Sequence, residues 1–305
     1  MAGILENKFN WSVSRDGVFQ ECPRRYYFQY YGSWGGWEYD APERVRNLYV
    51  LKQLKGRALW VGQVVHDCIK RSLENISRGI TVLPPDEILS ITRDRMRRDF
   101  RSSRAGAYWQ NPKHNCGLYE HEYGIDVPDE KWREAADQVD LCLRNFYESE
   151  VYEELRKIPP DDFLEIEEFS KFDLDGDQVT IKLDCAARET DRIIVWDWKT
   201  GRSEQLGLSF QMACYAYYAS NRYRIPVKHV VTRRFELFHD EVHEEAISEG
   251  ALDELLGYIR GSIKDMKSLL IDPQKNAARE EDFIKVNRRE ACYRCNFMKV
   301  CEPDL

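Results

Sequence analysis

Hydrophobic and polar positions repeat with two different periods along the chain, and the period changes near residue 160. Before this point, apolar residues recur at helical spacing, which predicts helices. These are a helix that begins at Ser12 or Ser14 and longer helices at 43–78, 86–104 and 129–157. After it, residues 161–199 alternate with period two around turn residues, which predicts three strands in series. The last predicted elements are a helix at 204–221, strands at 228–236 and 239–247, and a helix at 249–271. The pattern therefore predicts an α/β or α+β fold, with a small mixed sheet embedded in helices.

Composition narrows the class of protein. The chain has 305 residues, of which 43% are hydrophobic and 32% charged, with a formal net charge of −8. This net charge argues against a surface that is positively charged throughout. It is still compatible with an enzyme that acts on nucleic acid, because metal-binding carboxylates add negative charge. The N-terminus has no apolar signal segment, and no run of about 18 apolar residues occurs, so we expect a soluble cytoplasmic protein without membrane contact. Nine cysteines in such a chain indicate metal ligands rather than disulfides.

The stretch VWDWKTG, residues 195–201, places charges at the end of a buried strand. A desolvated charge is costly unless it is paired or bound to an ion. A two-residue turn at 190–191 would place Asp184 directly opposite Asp197, and period two adds Lys199 to the same face. The sequence therefore predicts an acid–acid–lysine group on one face of a hairpin.

Two adjacent carboxylates repel each other unless a cation lies between them. Hard oxygen ligands in a partly open site suit Mg²⁺ or Mn²⁺. Lys199 beside such an ion could orient a water molecule or contact a phosphate oxygen. The alternative is a surface hairpin with an ordinary Asp197–Lys199 ion pair, and spacing alone leaves both readings open.

At these residues the chain resembles the PD-(D/E)XK nucleases of the RecB type. KLD followed by DWKTG is similar to that family's G-x-x-D strand and D-Y-K-T-G motif. GQVVH places His66 on an upstream helix, where the family carries a metal-binding histidine. QMACY is similar to the Q-x-x-x-Y element, and the i, i+4 spacing puts Gln211 and Tyr215 on one helix face, as a DNA-contacting pair requires. The chain departs from the family pattern at Lys182, where a Gly/Arg-containing run usually begins, and at Trp198, which replaces the commoner tyrosine.

The resemblance implies metal-dependent hydrolysis of DNA phosphodiester bonds. It implies that His66, Asp184 and Asp197 hold the metal, with the Trp198 carbonyl as a further candidate ligand. Lys199 would position the attacking water or stabilise charge on the phosphate.

CYRCNFMKVC supplies Cys292, Cys295 and Cys301, and Cys22 in ECPRRYY is the candidate for a fourth thiolate. Zinc and an iron–sulfur cluster both fit this count. Here too the chain resembles a subset of RecB-type nucleases, which includes the AddB nuclease domain, exonuclease V and the CRISPR adaptation nucleases. In these proteins the same cysteine pattern holds a [4Fe–4S] cluster, which implies such a cluster here.

The resemblance also implies the organisation of the chain, a restriction-endonuclease-like mixed sheet flanked by helices, with a helical insertion and chain ends clipped together by the cluster. The expected segments are an N-terminal one with the first cluster cysteine (1–40), a helical one with the metal-binding histidine (41–160), the nuclease core sheet and helix (161–250), and a C-terminal helix with three cysteines (251–305).

Basic and aromatic side chains suggest where DNA would bind. RDRMRRDFRSSR carries six arginines between Arg93 and Arg104, which could follow a phosphate backbone or could form a solvated helix face. Trp34 and Trp37 lie among flexible glycines, where they could stack on unpaired bases or anchor the loop. The arginines expected to line the DNA entrance are Arg24, Arg25, Arg288 and Arg289.

The chain contains no G-x-x-x-x-G-K-[ST] phosphate loop, so we expect it to prefer single-stranded DNA, flaps or ends. The family resemblance implies that it acts as an exonuclease. A helicase, recombination or CRISPR-integrase partner would supply these substrates. Two alternatives stay open. One is a catalytically idle, cluster-bearing DNA-binding or scaffold subunit of a repair or CRISPR-adaptation complex, and the other is a zinc-stabilised protein without DNA chemistry.

Overall fold

The computed structural model describes residues 5–202, 208–286 and 288–301. Its centre is a five-stranded sheet whose strands lie side by side in chain order. The strands are β1 (Phe163–Leu174), β2 (Asp177–Glu189), β3 (Arg192–Lys199), β4 (Val230–Glu236) and β5 (Glu241–Ala246). β3 and β4 are parallel, and the other neighbours are antiparallel. The predicted mixed sheet, with three strands in series before a helix, is confirmed.

Helices precede, separate and follow these strands. In the N-terminal half they are α1 (Val13–Glu21), α2 (Pro23–Tyr27), α3 (Glu43–Leu51), α4 (Arg57–Ser77), α5 (Pro85–Arg104), α6 (Tyr119–Glu122), α7 (Asp129–Glu148) and α8 (Glu150–Leu155). In the C-terminal half they are α9 (Leu208–Tyr223), α10 (Glu249–Ser268), α11 (Arg289–Cys292) and α12 (Met298–Cys301). The mixed α/β architecture that the resemblance implies is therefore present.

Two of the predicted helices are each divided in two. The prediction at 43–78 is wrong across 52–56, where the chain leaves α3 and Gly56 caps the start of α4. The prediction at 129–157 is wrong at Ser149, whose side chain accepts a hydrogen bond from the Tyr152 backbone N–H and so starts a new helix. The predicted beginning of the 204–221 helix falls partly on 203–207, which lie outside the described residues.

The two faces of the sheet pack against different helices. Trp196 and Trp198 lie in a core that includes residues of α4, α5 and α7. Ile193 and Val195, which alternate with them along β3, lie in a second core with residues of α9 and α10. Asp197 therefore shares its face with α9, and the predicted alternation along β3 is confirmed.

The turns between the first three strands fix their register. Asp175 and Gly176 both have positive φ in the β1–β2 turn, and Thr190 has φ of 53° in the β2–β3 turn. The β2–β3 pairing runs from Glu189–Arg192 to Cys185–Trp196, which is the register that a two-residue turn at 190–191 predicts. None of the described helices is both long and apolar enough to cross a lipid bilayer.

Candidate active site

Asp184 and Asp197 lie next to each other at the end of the β2–β3 hairpin. Continuing the register beyond Cys185–Trp196 places the two aspartates opposite each other. The Trp198 backbone N–H donates to Asp184 Oδ2 at 2.7 Å, which fixes this carboxylate against β3. Both side chains are buried, so their charges must be balanced by groups inside the protein.

Lys199 supplies one of these balancing charges. Its Nζ lies 2.7 Å from Asp197 Oδ2 and donates to Gln211 Oε1 at 3.0 Å. Gln211 Nε2 donates to the Tyr215 hydroxyl, which in turn donates to the Lys182 carbonyl oxygen at 2.8 Å. The sequence-predicted Gln211–Tyr215 pair thus lies behind Lys199 and orients it. Tyr215 is only 4% exposed, and a DNA contact of this pair stays a prediction.

His66 reaches the same place from α4. An added Cβ at Gly62 would lie 3.3 Å from Thr200 Oγ1, so the glycine of GQVVH allows α4 to approach the end of β3. His66 Nε2 lies 3.0 Å from the Trp198 carbonyl oxygen, a contact that requires a proton on Nε2. In the neutral ring this leaves the Nδ1 lone pair for a metal. The Trp198 carbonyl therefore orients His66, and its predicted role as a metal ligand stays a prediction.

Glu167 completes the group, and the sequence reasoning missed it. Its Oε1 lies 2.9 Å from His66 Nδ1, and Asp184 Oδ1 lies 3.3 Å from the same nitrogen. The flanking β1–β2 pairs place Glu167 opposite Asp184. Glu167 has φ of 52°, a left-handed conformation that interrupts the regular alternation of β1. The sequence feature that could have identified Glu167 is EIEEF, which places three glutamates within an otherwise half-buried strand.

These donor atoms fit a divalent cation. One ligand atom from each of His66, Glu167 and Asp184 lies within 4.8 Å of the others. An octahedral Mg²⁺ or Mn²⁺ with ligands at about 2.1 Å separates adjacent donors by about 3 Å, which agrees with the distances from His66 Nδ1. Carboxylate oxygens suit these ions, and an imidazole nitrogen is a common ligand of divalent transition metals. Asp197 is not one of these three residues, but it lies next to Asp184.

The charges in the site perturb one another. Burial lowers the pKa of His66, but the carboxylates of Asp184 and Glu167 outweigh it and hold this pKa well above its ordinary value. Burial and the charge of Asp184 raise the pKa of Asp197 to about 6, although Lys199 opposes the shift. Burial also acts to raise the pKa of Asp184, but His66 and the Trp198 N–H lower it below its ordinary value. Without a metal, a proton on His66 is what balances the carboxylates, and a divalent cation can replace that proton.

The four predicted cluster cysteines come together from the two ends of the chain. Cys22, Cys292, Cys295 and Cys301 line one cavity of about 30 Å³. Thiolates are ligands of both zinc and iron–sulfur clusters, so the identity of the bound group stays a prediction.

Half of the basic helix is neutralised by ion pairs. Arg93 pairs with Asp140, Arg95 with Asp67 and Arg97 with Asp94. The arginines of α5 that are exposed and form no ion pair with a described residue are Arg98, Arg101 and Arg104. A phosphate contact stays a prediction for these three.

The other predicted DNA contacts also have structural partners. Trp34 and Trp37 pack edge to face with ring centroids 5.0 Å apart, and Trp37 also packs on Tyr49, as loop anchoring requires. Arg24 Nε donates to the Phe283 carbonyl at 2.7 Å, and Arg288 donates to the Glu21 carbonyl at 3.0 Å. Arg25 pairs with Glu21. Arg24 and Arg288 thus connect the two ends of the chain. A DNA contact stays a prediction for all of these residues, Arg289 included.

Comparison with known proteins agrees with this geometry. No curated protein matches the chain significantly. The family model of the PD-(D/E)XK nuclease superfamily matches residues 10–302, which include His66, the acidic hairpin and the four cysteines. The chain therefore belongs to the PD-(D/E)XK nuclease superfamily.

Proposed function

We propose that this chain is a metal-dependent DNA nuclease of the RecB type that hydrolyses phosphodiester bonds. The observation that carries the proposal is the convergence of donor atoms from His66, Glu167 and Asp184 beside Lys199, within the region that the superfamily model matches. An isolated ion pair on a hairpin needs neither a half-buried histidine nor a third carboxylate. The group is therefore better explained by a metal and a phosphate than by surface electrostatics.

His66, Asp184 and Asp197 would hold Mg²⁺ or Mn²⁺, with Glu167 as a further donor. The bound ion would supply a Lewis acid and an activated water. Lys199 lies at the end of β3 with 27% of its side chain exposed, so its ammonium group can orient a water or contact a phosphate oxygen. Gln211 holds this ammonium group in place.

The test separates metal binding from catalysis. Asp197→Ala should lose both Mn²⁺ binding and DNA cleavage, because it removes a ligand. Lys199→Ala should lose cleavage by about 10²–10³-fold, as removal of one preorganised charge does, while it still binds Mn²⁺ and DNA. Calorimetric Mn²⁺ titration and cleavage of end-labelled oligonucleotides measure the two effects. Wild-type cleavage by both variants would place the active site elsewhere.

The proposal extends to a [4Fe–4S] cluster held by Cys22, Cys292, Cys295 and Cys301. Its support is the family resemblance together with the single cavity that all four cysteines line. Protein purified without air should be brown and contain about four irons per chain. Stoichiometric zinc without iron in such protein would exclude the cluster and leave the nuclease proposal standing.

The proposed substrate is single-stranded DNA, a flap or a frayed end, cleaved as an exonuclease in the cytoplasm. Separating a duplex costs about 1.4 kcal/mol per base step, which a nuclease without a motor does not supply. A helicase, recombination or CRISPR-integrase partner would deliver the strand. Rates on end-labelled single strands should exceed those on blunt duplexes, and equal rates would contradict this preference.

A further inference from the structure

Phe169 is an apolar side chain in an unusual place. It is 75% exposed in the middle of β1, and it is the one exposed phenylalanine in the described ranges 5–202, 208–286 and 288–301. Phenylalanine has no polar group to hydrate, so leaving its ring in water forgoes the burial that stabilises the other phenylalanines of the chain. Because this exposed ring lies near the candidate active site, a ligand that covers it could account for its exposure.

The position of Phe169 relative to the metal site is fixed by the β1–β2 register. Phe169 pairs with Lys182, and the Glu167–Asp184 pair lies two residues further along the same two strands. Two residues along a strand span about 7 Å, which is close to the length of one nucleotide in an extended strand. The Phe169–Lys182 pair is therefore one nucleotide away from the candidate metal.

Lys182 connects the exposed ring to the metal site. Its Nζ lies 5.7 Å from the Phe169 ring centroid and forms an ion pair with Glu167 Oε2. The other oxygen of Glu167 faces His66. Contacts therefore run without a gap from His66 through Glu167 and Lys182 to Phe169, and the Lys182 side chain is 42% exposed at the open end.

The charge balance favours a phosphate at this position. The carboxylates of Glu167, Asp184 and Asp197 carry three negative charges, and Lys199 and Lys182 carry two positive charges. The site therefore has one net negative charge when His66 is neutral. A divalent cation changes this to one net positive charge, which a single phosphodiester neutralises. The cation also competes with Lys182 for Glu167, so Lys182 becomes available to an anion when the metal is bound.

We propose that Phe169 and Lys182 bind the nucleotide next to the scissile phosphate, with the base stacked on the Phe169 ring and its phosphate paired with Lys182. Stacking requires an unpaired base, so the ligand is a single strand. Stacking on one ring accepts any base, so this site gives no sequence preference. The inference rests on the proposed nuclease function and deepens it.

The test uses variants of Phe169 and two kinds of oligonucleotide. Affinity is measured by fluorescence anisotropy in the Lys199→Ala background, with oligothymidylate and with an abasic sugar–phosphate chain of equal length. Phe169→Ala should weaken oligothymidylate binding about 5- to 150-fold, the range for loss of one stacked base, and should leave abasic binding unchanged. Phe169→Trp should bind as wild type does, whereas Phe169→Leu, which keeps an apolar surface without a ring, should resemble Phe169→Ala. Equal binding by Phe169→Leu and wild type would instead assign the ring to apolar docking and overturn the proposal.

Lys182→Gln tests the phosphate contact independently. It should lower the slope of log affinity against log salt by about 0.7, the value for one phosphate contact on a single strand. Phe169→Ala should leave this slope unchanged. If Lys182→Gln changes Mn²⁺ affinity but leaves the salt slope unaltered, Lys182 only positions Glu167 and the proposal fails.

Failure of this inference can be told from failure of the nuclease proposal. If the wild-type protein with Mn²⁺ neither binds nor cleaves single-stranded DNA, the proposed function is wrong. If it cleaves, and Phe169→Ala binds both oligonucleotides as wild type does, only the nucleotide site is wrong.

Discussion

The acidic hairpin and the cysteine site differ in what brings their ligands together. Asp184 and Asp197 are neighbours because one two-residue turn fixes the register of two adjacent strands. Cys22 meets Cys292 only after almost the whole chain has folded between them. A site built on one hairpin can exist before it binds a ligand, whereas a site built from two chain ends must also overcome the entropy of closing a long loop.

The elements around the cysteines are short. α2 has five residues, and α11 and α12 have four each, lengths at which an isolated helix is not stable in water. The two chain ends are joined by contacts such as Arg24 Nε to the Phe283 carbonyl. Because these helices are too short to be stable on their own, we expect this region to depend on its ligand more than the hairpin depends on its own.

Removal of one ligand from the cysteine site should destabilise the protein more than any other change considered below. Cys22→Ala should give colourless, poorly soluble and protease-sensitive protein, with loss of cleavage as a consequence of unfolding. Structural metal sites contribute about 10 kcal/mol or more to folding, which is as large as the net stability of a typical domain, about 5–15 kcal/mol. Limited proteolysis and thermal denaturation measure the effect.

Cys116→Ala is the matched control, because Cys116 is also half-buried but does not line the cysteine cavity. This variant should retain its iron. Its melting temperature should change no more than it does after an ordinary substitution of a small side chain. A Cys22→Ala protein as stable as the wild type would show that the two regions do not differ in this way.

Two buried glutamates of β1 have different partners. Glu165 accepts hydrogen bonds from the hydroxyls of Tyr218, Tyr223 and Ser170. Glu167 instead faces His66. Glu167→Gln should weaken Mn²⁺ binding by about 10- to 100-fold, the range seen when a metal's supporting groups are altered, with the fold intact.

Glu165→Gln serves as the control for that change. It alters the same functional group two residues away, so it should cost some stability through its three hydroxyl partners and leave Mn²⁺ affinity unchanged. Equal Mn²⁺ affinities of the two variants would remove Glu167 from the ligand set.

These glutamates also show the limit of what the sequence could predict. The register of Asp184, Asp197 and Lys199 follows from a turn signal and period two, and both are local properties. The position of Glu167 depends on one left-handed residue in a strand, which composition does not reveal because glutamate rarely adopts that conformation. The alternation rule therefore fails at the residue that faces the metal site.

The helical half was harder to predict for a related reason. The existence of the helices follows from their apolar period, but their ends depend on contacts from distant parts of the chain. The break before α4 is fixed where the Lys55 backbone pairs with that of Leu118. Nothing in the local sequence around Lys55 specifies this partner. The proximity of His66 to the hairpin was available only from the family resemblance.

A smaller effect is expected from the charge on Asp197 in metal-free protein. Because burial raises its pKa from 3.8 to about 6, the fold favours the protonated form. The stability from this group is fully present below pH 3.8 and is lost as the pH rises through 6. Asp197→Asn should therefore stabilise metal-free protein at pH 8 by about 1–3 kcal/mol, since one pKa unit corresponds to about 1.4 kcal/mol and the pKa of about 6 already includes the opposing charge of Lys199.

Urea denaturation with a chelator at pH 8 and at pH 4 measures this effect. The difference between variant and wild type should shrink at pH 4, where Asp197 is protonated in the folded protein. An Asp197→Asn protein that is less stable than the wild type at pH 8 would mean that Lys199 more than compensates for the buried charge.

One hydrogen bond beside the cysteine site should contribute least to stability. The Tyr123 hydroxyl donates to the Asn296 carbonyl at 2.7 Å, next to Cys295. Tyr123→Phe should cost about 1 kcal/mol, the net contribution of one hydrogen bond, and should speed the loss of iron to a chelator without changing Mn²⁺ affinity at the hairpin. Tyr152→Phe is the control, because the Tyr152 hydroxyl makes no hydrogen bond to a described residue and lies in the helical half. If Tyr123→Phe changed Mn²⁺ affinity as much as iron release, the two sites would be coupled, and the independence of the hairpin argued above would be wrong.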